Sequence, residues 1–386
     1  MSNSVTEAAH KDMPSNAARP RLGLSVVVPT YREAANLPVL VPRLCAALEL
    51  AGISAEVIIV DDNSPDDTAA VCQELQQSYP LRLEIRRNER GLSSAVVHGL
   101  NLADGQVAVV MDADLSHPPE SVPQLVAALD ERDVDFVIGS RYVEGGSTDD
   151  GWGLLRWINS KAATLLARPL TTAKDPMAGF FAIKTDRFRQ HQRALDPIGY
   201  KIALELIVKC DCRKIAEVPI AFQNRLHGES KLTLREQVNY VRHVGRLMKH
   251  KYYNFVSVMQ FGAVGLVGMA IDLSTYALLL TIIPLFVARA LAISAAMTCN
   301  YFLNRQWTFS HARSTSIVWQ YVLFCAGCGL GACLNWGISV GLVERVSWFA
   351  GHPLWAAAIG VASGFVVNYL FSRTIAFRAS RTPLER

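Results

Sequence analysis

The sequence predicts an α/β domain built on a parallel sheet, followed by an all-α domain of four transmembrane helices. Three observations carry this. Short β-branched runs alternate with amphipathic stretches from Leu24 to Ile183. Four apolar stretches then follow Lys251, at 256–280, 283–303, 318–342 and 354–371. Charge density is ordinary before Lys251 and very low after it. At 386 residues the chain is also long for one domain.

Residues 1–22 are polar and alanine-rich, with no signal-peptide core before Leu24, and are expected to form a disordered tail. Strands are expected at 24–28, 55–60, 81–86, 107–111 and 136–139, with helices at 37–50 and 68–78 between them. Three strands run directly into polar residues: Pro29-Thr30-Tyr31, Asp61-Asp62-Asn63 and Asp112-Ala113-Asp114. Ligands of doubly wound sheets bind beyond the carboxyl ends of the strands, so these clusters should share one rim of a domain covering 23–231.

Each apolar stretch is near or above the ~20 residues needed to cross a hydrocarbon core of ~30 Å. Within 254–386 there is a repeat. Asn300-Tyr301-Phe302-Leu303-Asn304-Arg305 returns as Asn368-Tyr369-Leu370-Phe371-Ser372-Arg373, and Phe309 as Phe377. Gln260-Phe261 returns as Gln320-Tyr321, and Gly268 and Asp272 match Gly331 and Asn335. Two hairpins of one orientation are expected. Arg305, Arg313, Arg373, Arg378, Arg381 and Arg386 follow the even-numbered spans, which places those ends, both termini and the first domain on the cytoplasmic side of a multi-pass membrane protein. The join, 232–253, sets Val238, Val241, Val244, Leu247 and Met248 against Arg235, Arg242, Arg246, Lys249 and Lys251, a basic amphipathic helix suited to the membrane interface or to a solvated connector. Asp272, Arg289 and Asn335 are polar groups inside spans, fit either for a polar path or for hydrogen bonds between helices.

The net charge of +4 argues against nucleic acid as a partner. Eight cysteines show no zinc pattern, since Cys325 and Cys328 lie in an apolar stretch, and reduced thiols fit best. The chemistry sits with the acids. Asp112 and Asp114, one residue apart at a strand end, can aim at one hard cation such as Mg²⁺ or Mn²⁺, which takes oxygen ligands and bridges diphosphates. Asp61 and Asp62 can bind a base or ribose hydroxyls, or cap a helix through Ser64 or Asp66. Arg141, Lys201, Arg225 and Lys231 offer positive charge for phosphates. No nucleophilic triad is present, and Asp175 is expected to orient rather than act as a base.

Val26-Val27-Val28-Pro29-Thr30-Tyr31-Arg32-Glu33, Val60-Asp61-Asp62-Asn63-Ser64-Pro65, Asp112-Ala113-Asp114-Leu115-Ser116-His117-Pro118-Pro119 and His227-Gly228-Glu229-Ser230-Lys231 together resemble the dolichol- or polyprenol-phosphate mannose synthases of glycosyltransferase family two. The C-terminal repeat resembles GtrA-like membrane domains, a fusion found in one subclass of those synthases. The resemblance implies a GT-A fold and an inverting transfer of mannose from GDP-mannose to a polyprenyl phosphate. Membrane lipid is an expected partner, and the transmembrane domain offers a surface for a homo-oligomer. It assigns nucleotide-sugar contacts to Pro29, Tyr31, Glu33, Val60, Asp62, Asp112, Ala113, Asp114 and Arg141. Lys201, Arg225 and Lys231 fall on the phosphate and acceptor side. The metal falls on Asp114, supported by Asp112. Ser116 stands where some relatives have a glutamine ligand, which makes it a shorter and poorer one. The rival readings are the same transfer from UDP-glucose or another nucleotide sugar, and a lipid-linked sugar translocator whose soluble domain is regulatory.

Overall fold

A computed structural model of the chain describes residues 23–131, 134–148, 154–223, 234–279, 281–312 and 316–378, and the structural statements below concern these. The expected N-terminal tail, 1–22, lies outside them. The chain divides into two units, Met1–Lys251 and Tyr252–Arg386.

In the first unit the β-branched runs become β1 (Leu24–Thr30), β2 (Ala55–Asp61), β3 (Leu81–Ile85), β4 (Val107–Val110) and β5 (Phe136–Ser140). Further along lie β6 (Ser147–Thr148), β7 (Phe181–Lys184), β8 (Ile215–Pro219) and β9 (Ala221–Phe222). Seven strands form one sheet in the order β3-β2-β1-β4-β7-β5-β8, and β6 pairs with β9. The helices are α1 (Leu37–Leu50), α2 (Thr68–Leu75), α3 (Leu92–Leu102), α4 (Val122–Glu131), α5 (Leu154–Ala167), α6 (Thr185–His191), α7 (Ile202–Lys209) and α8 (Leu234–Lys251). Every residue of β1, β4 and β5 is buried, as in a sheet covered by helices on both faces.

One strand departs from the expected parallel sheet. β7 runs antiparallel between β4 and β5, with Phe181 opposite both Val110 and Ile138. Its direction matters for function. Because β7 is reversed, the segment entering it, 175–180, arrives beside the carboxyl ends of β4 and β5. A hydrophobic pattern of period two reports burial but not direction, so the sequence could not show this.

The amphipathic join becomes α8. Its Val244 and Leu247 pack with Ala167, Leu170 and Leu204, and the Tyr240 hydroxyl donates to the Ala163 carbonyl at 2.7 Å. Val238 and Val241 remain exposed. The helix is therefore anchored to the first unit by one face.

The second unit contains α9 (Tyr253–Leu279), α10 (Leu285–Leu303), α11 (Ile317–Arg345), α12 (Ser347–Gly351) and α13 (Pro353–Phe371). Among the described residues three helical segments are long and apolar enough to cross a membrane, Tyr253–Leu279, Ile317–Arg345 and Ala358–Ala376. The expected second span falls on α10, whose 19 residues pack on α9.

The repeat is visible in the packing. A Cβ on Gly268 would sit 2.2 Å from the Asn300 amide, and one on Gly331 would sit 2.0 Å from the Asn368 amide oxygen, so only glycine admits each asparagine. Phe309 and Phe377 stack on each other with centroids 4.9 Å apart. The tyrosines cross between halves: Tyr369 OH lies 2.6 Å from Ser257 Oγ, and Tyr301 OH lies 3.4 Å from Gln320 Oε1. This corrects one correspondence read from the sequence. Phe261 packs against Tyr369 at 5.6 Å and Phe309 at 6.3 Å, while Phe324 packs against Tyr301 at 5.9 Å and Phe377 at 6.0 Å. The counterpart of Phe261 is thus Phe324, one helical turn beyond Tyr321, and Ser257 corresponds to Gln320. The shared Gln-aromatic pair at 260–261 and 320–321 does not mark equivalent positions, because packing selects helix register by turns rather than by residue identity.

Candidate active site

The rim beyond β1, β2 and β4 forms as the strand endings foretell. A cavity of about 190 Å³ is lined by Pro29, Tyr31, Glu33 and Asp62, and on its other side by Asp112, Ala113 and Asp114. Leu92 and Ala95 of α3 complete it. Seven of the expected nucleotide-sugar residues therefore converge. Val60 does not line it: its side chain is buried in the core and faces Gly99 of α3.

Each acid of the Asp61-Asp62 pair has a different task. The Asp61 carboxylate accepts from the Ser64 amide at 2.8 Å and from its hydroxyl at 2.5 Å, closing the turn after β2. In the helix start that follows, Asp66 accepts from the Thr68 hydroxyl at 2.6 Å. Asp62 faces the cavity and is held by Arg86, whose Nε donates to Oδ1 at 2.8 Å, and by the Gly91 amide, which donates to Oδ2 at 2.7 Å. Arg86 also reaches Ser94 Oγ at 3.0 Å and the Gly91 carbonyl at 3.1 Å. Gly91 has φ +135°, which side-chain-bearing residues rarely adopt. Arg86 is a site residue the sequence reading missed. The sequence pattern places it at the end of a strand, and nothing local ties it to Asp62.

The Asp112–Asp114 segment curls tightly after β4. Leu115 takes φ +62°, a left-handed conformation costing roughly 1–2 kcal/mol for such a residue. Two hydrogen bonds hold the curl: Ser116 N–H donates to Asp114 Oδ1 at 3.0 Å, and Asp112 N–H donates to His117 Nδ1 at 3.2 Å. A Cβ on Gly179 would lie 2.9 Å from Asp112 Oδ2, so glycine in the segment entering β7 leaves room for that carboxylate. Burial pushes the His117 imidazole below its usual range, against the pull of Asp112 and Asp114.

Arg141, just past β5, is clamped by Asp175. Nε donates to Oδ2 and Nη2 to Oδ1, each at 2.8 Å, and the Arg141 amide donates to Oδ2 at 3.2 Å. Burial works against the guanidinium charge, but the Asp175 carboxylate outweighs it and raises the pKa. The amides of Lys174 and Asp175 in turn donate to Glu217 of β8 at 2.8 and 3.0 Å. Asp175 thus fixes the direction of the Arg141 guanidinium, and Glu217 joins the group as a second residue that no sequence signal indicated.

Lys201 opens α7 and lines a second cavity of about 220 Å³. That cavity lies between α5 and α8, with Ala162, Ala163, Leu166 and Val241 among its walls. Burial, then the charge of Arg141, lowers the Lys201 ammonium to about 8, against opposing pulls from Asp175 and Asp112. Arg225 and Lys231 lie outside the described residues.

The acids fit a hard divalent cation with few protein ligands. Among the described residues no cluster of three or more His, Cys, Asp or Glu side chains forms a closed metal site. Asp112 and Asp114 offer carboxylates, and the buried Ser116 hydroxyl oxygen has no hydrogen-bond partner among the described residues. Mg²⁺ in particular takes one or two carboxylates and completes its shell with water and phosphate oxygens.

Comparison with known proteins agrees with this geometry. The family described as "Glycosyl transferase family 2" matches residues 25–191, and "GtrA/DPMS, transmembrane domain" matches residues 260–377. The chain is 37% identical over 358 residues to a dolichol-phosphate mannosyltransferase of Pyrococcus furiosus, covering 91% of this chain and 98% of that one. It is 46% identical to the Mycosarcoma maydis dolichol-phosphate mannosyltransferase, and 42% identical to that of Saccharomyces cerevisiae. Each of these two matches covers 59% of this chain, and 80% and 88% of the respective relative. The chain is a glycosyltransferase of the dolichol-phosphate mannosyltransferase family, in the form that joins a family 2 domain of GT-A type to a GtrA-type transmembrane domain.

Proposed function

We propose that the chain transfers mannose from GDP-mannose to a polyprenyl phosphate at the cytoplasmic face of the membrane, with inversion at the anomeric carbon. One observation carries this reading: the acidic cavity and the lysine-headed apolar cavity occur in the same unit and share their charges through Asp112, Arg141, Asp175 and Lys201. The first suits a nucleotide diphosphate sugar. The second suits a phosphate with a hydrocarbon chain.

Tyr31, Glu33 and Asp62 hold base and ribose. Asp112, Asp114 and Ser116 would hold Mg²⁺ or Mn²⁺, which supplies charge neutralisation where the diphosphate departs. Lys201 and Arg141 receive the acceptor phosphate, joined by Arg225 and Lys231. A phosphate oxygen bonds to the anomeric carbon as the bond from that carbon to the β-phosphate oxygen breaks, and the nucleoside diphosphate leaves with the electron pair. A phosphate monoester is already ionised near pH 7, so no general base is required.

The test is incorporation of labelled sugar into polyprenyl phosphate by purified protein with Mg²⁺ or Mn²⁺. Label from GDP-mannose and none from UDP-glucose is expected; the reverse overturns the donor. Single cysteines at each terminus should be reachable only from the cytoplasmic side, and labelling from outside overturns the topology.

A further inference from the structure

We propose that His117 is a positioning residue, whose neutral ring accepts the Asp112 amide proton at Nδ1 and thereby holds the Asp112–Ser116 curl in shape to bind a divalent cation. This rests on the reading of Asp112, Asp114 and Ser116 as the cation site.

The argument begins with the donor. A backbone N–H can only donate, so the 3.2 Å contact between Asp112 N and His117 Nδ1 requires a lone pair on Nδ1. The ring proton must then sit on Nε2. That tautomer has an electrostatic consequence. Asp112 Oδ2 lies 3.7 Å from Nδ1. A proton there would draw on the carboxylate charge; a lone pair leaves that charge for a cation.

The curl needs such support. Leu115 is strained, and the two carboxylates lie only one residue apart on a short loop between β4 and Pro118. The Ser116 amide closes the inner part of the loop on Asp114, and His117 closes the outer part on Asp112. The ring itself is fixed from two sides. It stacks on Phe180 with centroids 5.2 Å apart and meets Phe222 of β9 edge-on at 5.6 Å. Phe180 follows Gly179, the residue that leaves space for the Asp112 carboxylate. The imidazole thus ties two segments distant in sequence, at Phe180 and Phe222, to the loop that carries the carboxylates. Groups that orient metal ligands from behind typically change metal affinity 10–100-fold when removed.

The full-length protein in detergent is titrated with Mn²⁺ in the presence of GDP, and free Mn²⁺ is read by electron paramagnetic resonance without acceptor or turnover. His117→Asn places an amide oxygen where Nδ1 sits; His117→Gln places one nearer Nε2; His117→Phe keeps the stacked ring and removes the acceptor. The Asn variant should bind Mn²⁺ within about threefold of wild type, and the Gln and Phe variants about tenfold or more weakly. Wild-type affinity in the Phe variant overturns the proposal, and so does an Asn variant as weak as Phe. The second readout needs no substitution. Nitrogen-15 resonances of the wild-type ring should show a protonated Nε2 and an unprotonated Nδ1; a proton on Nδ1 overturns the proposal. Failure of wild type itself to bind Mn²⁺ with GDP overturns the cation reading together with this inference, and is distinguishable from loss confined to the variants.

Discussion

Arg141 and Asp175 meet through two parallel hydrogen bonds of 2.8 Å, although 34 residues separate them. The Asp175 side chain is fully buried and that of Arg141 is 12% exposed. Removing one partner of a buried pair strands the other charge, which costs about 3–5 kcal/mol. Asp175→Ala should lower stability by about that amount in urea unfolding of the first unit. Asp175→Asn, which keeps a hydrogen bond, should lose less stability but still lose turnover, because the guanidinium is no longer aimed. Wild-type turnover in a folded Asp175→Asn protein would show that Arg141 needs no such clamp.

Asp114→Asn should leave the fold intact and reduce transfer by about a hundredfold or more, since mutations at charge-stabilising positions commonly cost that much. The carboxylate accepts the Ser116 amide proton, a role that an amide oxygen can take over. Turnover and circular dichroism on the same sample decide it, and near-normal turnover at saturating Mn²⁺ would overturn the proposal that Asp114 is a metal ligand.

The Lys201 ammonium, lowered to about 8 from an unperturbed value of about 10.4, gives two opposite pH effects. Phosphate binding needs the charged form, so acceptor KM should rise as pH climbs through about 8. Between about 8 and 10.4 the unfolded chain holds the proton that the folded chain has released. The penalty for burying the charge, complete below about 8, is therefore relieved across that window, and this group's contribution to stability increases with pH. Lys201→Arg should abolish the alkaline rise in KM, because guanidinium does not deprotonate there. An unchanged alkaline limb in that variant would assign it to another group.

Gly331→Ala should destabilise the membrane unit, since the new methyl would stand 2.0 Å from the Asn368 amide oxygen and must push α11 from α13. Overpacking of this kind costs typically about 1–3 kcal/mol. A lower midpoint in thermal unfolding in detergent is expected, with turnover on a short acceptor unchanged at low temperature.

A chain ending at Lys251 should transfer sugar to a short, detergent-soluble polyprenyl phosphate with turnover similar to the full protein. Every described residue assigned a chemical role lies before the division between the units. On long-chain acceptor in membranes its efficiency should fall, because confinement to the bilayer raises the effective concentration of a lipid substrate. An inactive but monodisperse truncated protein would mean that the spans shape the site.

Short-range patterns in the sequence determined most of the first sheet and the acidic loop after β4. Val26-Val27-Val28 and Val107-Ala108-Val109-Val110 could only be buried strands, and acids placed at their ends had to lie on one rim. The membrane repeat was equally legible, because hydrophobic length and recurring Asn-Tyr signatures are local. Tertiary structure decided the rest. The reversed direction of β7 brings Gly179 to Asp112 and Asp175 to Arg141. Long-range pairing recruits Arg86 to Asp62 and Glu217 to the Asp175 segment, and packing sets the repeat register at Phe261 and Phe324. Periodicity records which face of an element is buried. It carries no record of which distant polar group will meet a charge there, and that choice is made when elements pack and each buried charge must find a partner.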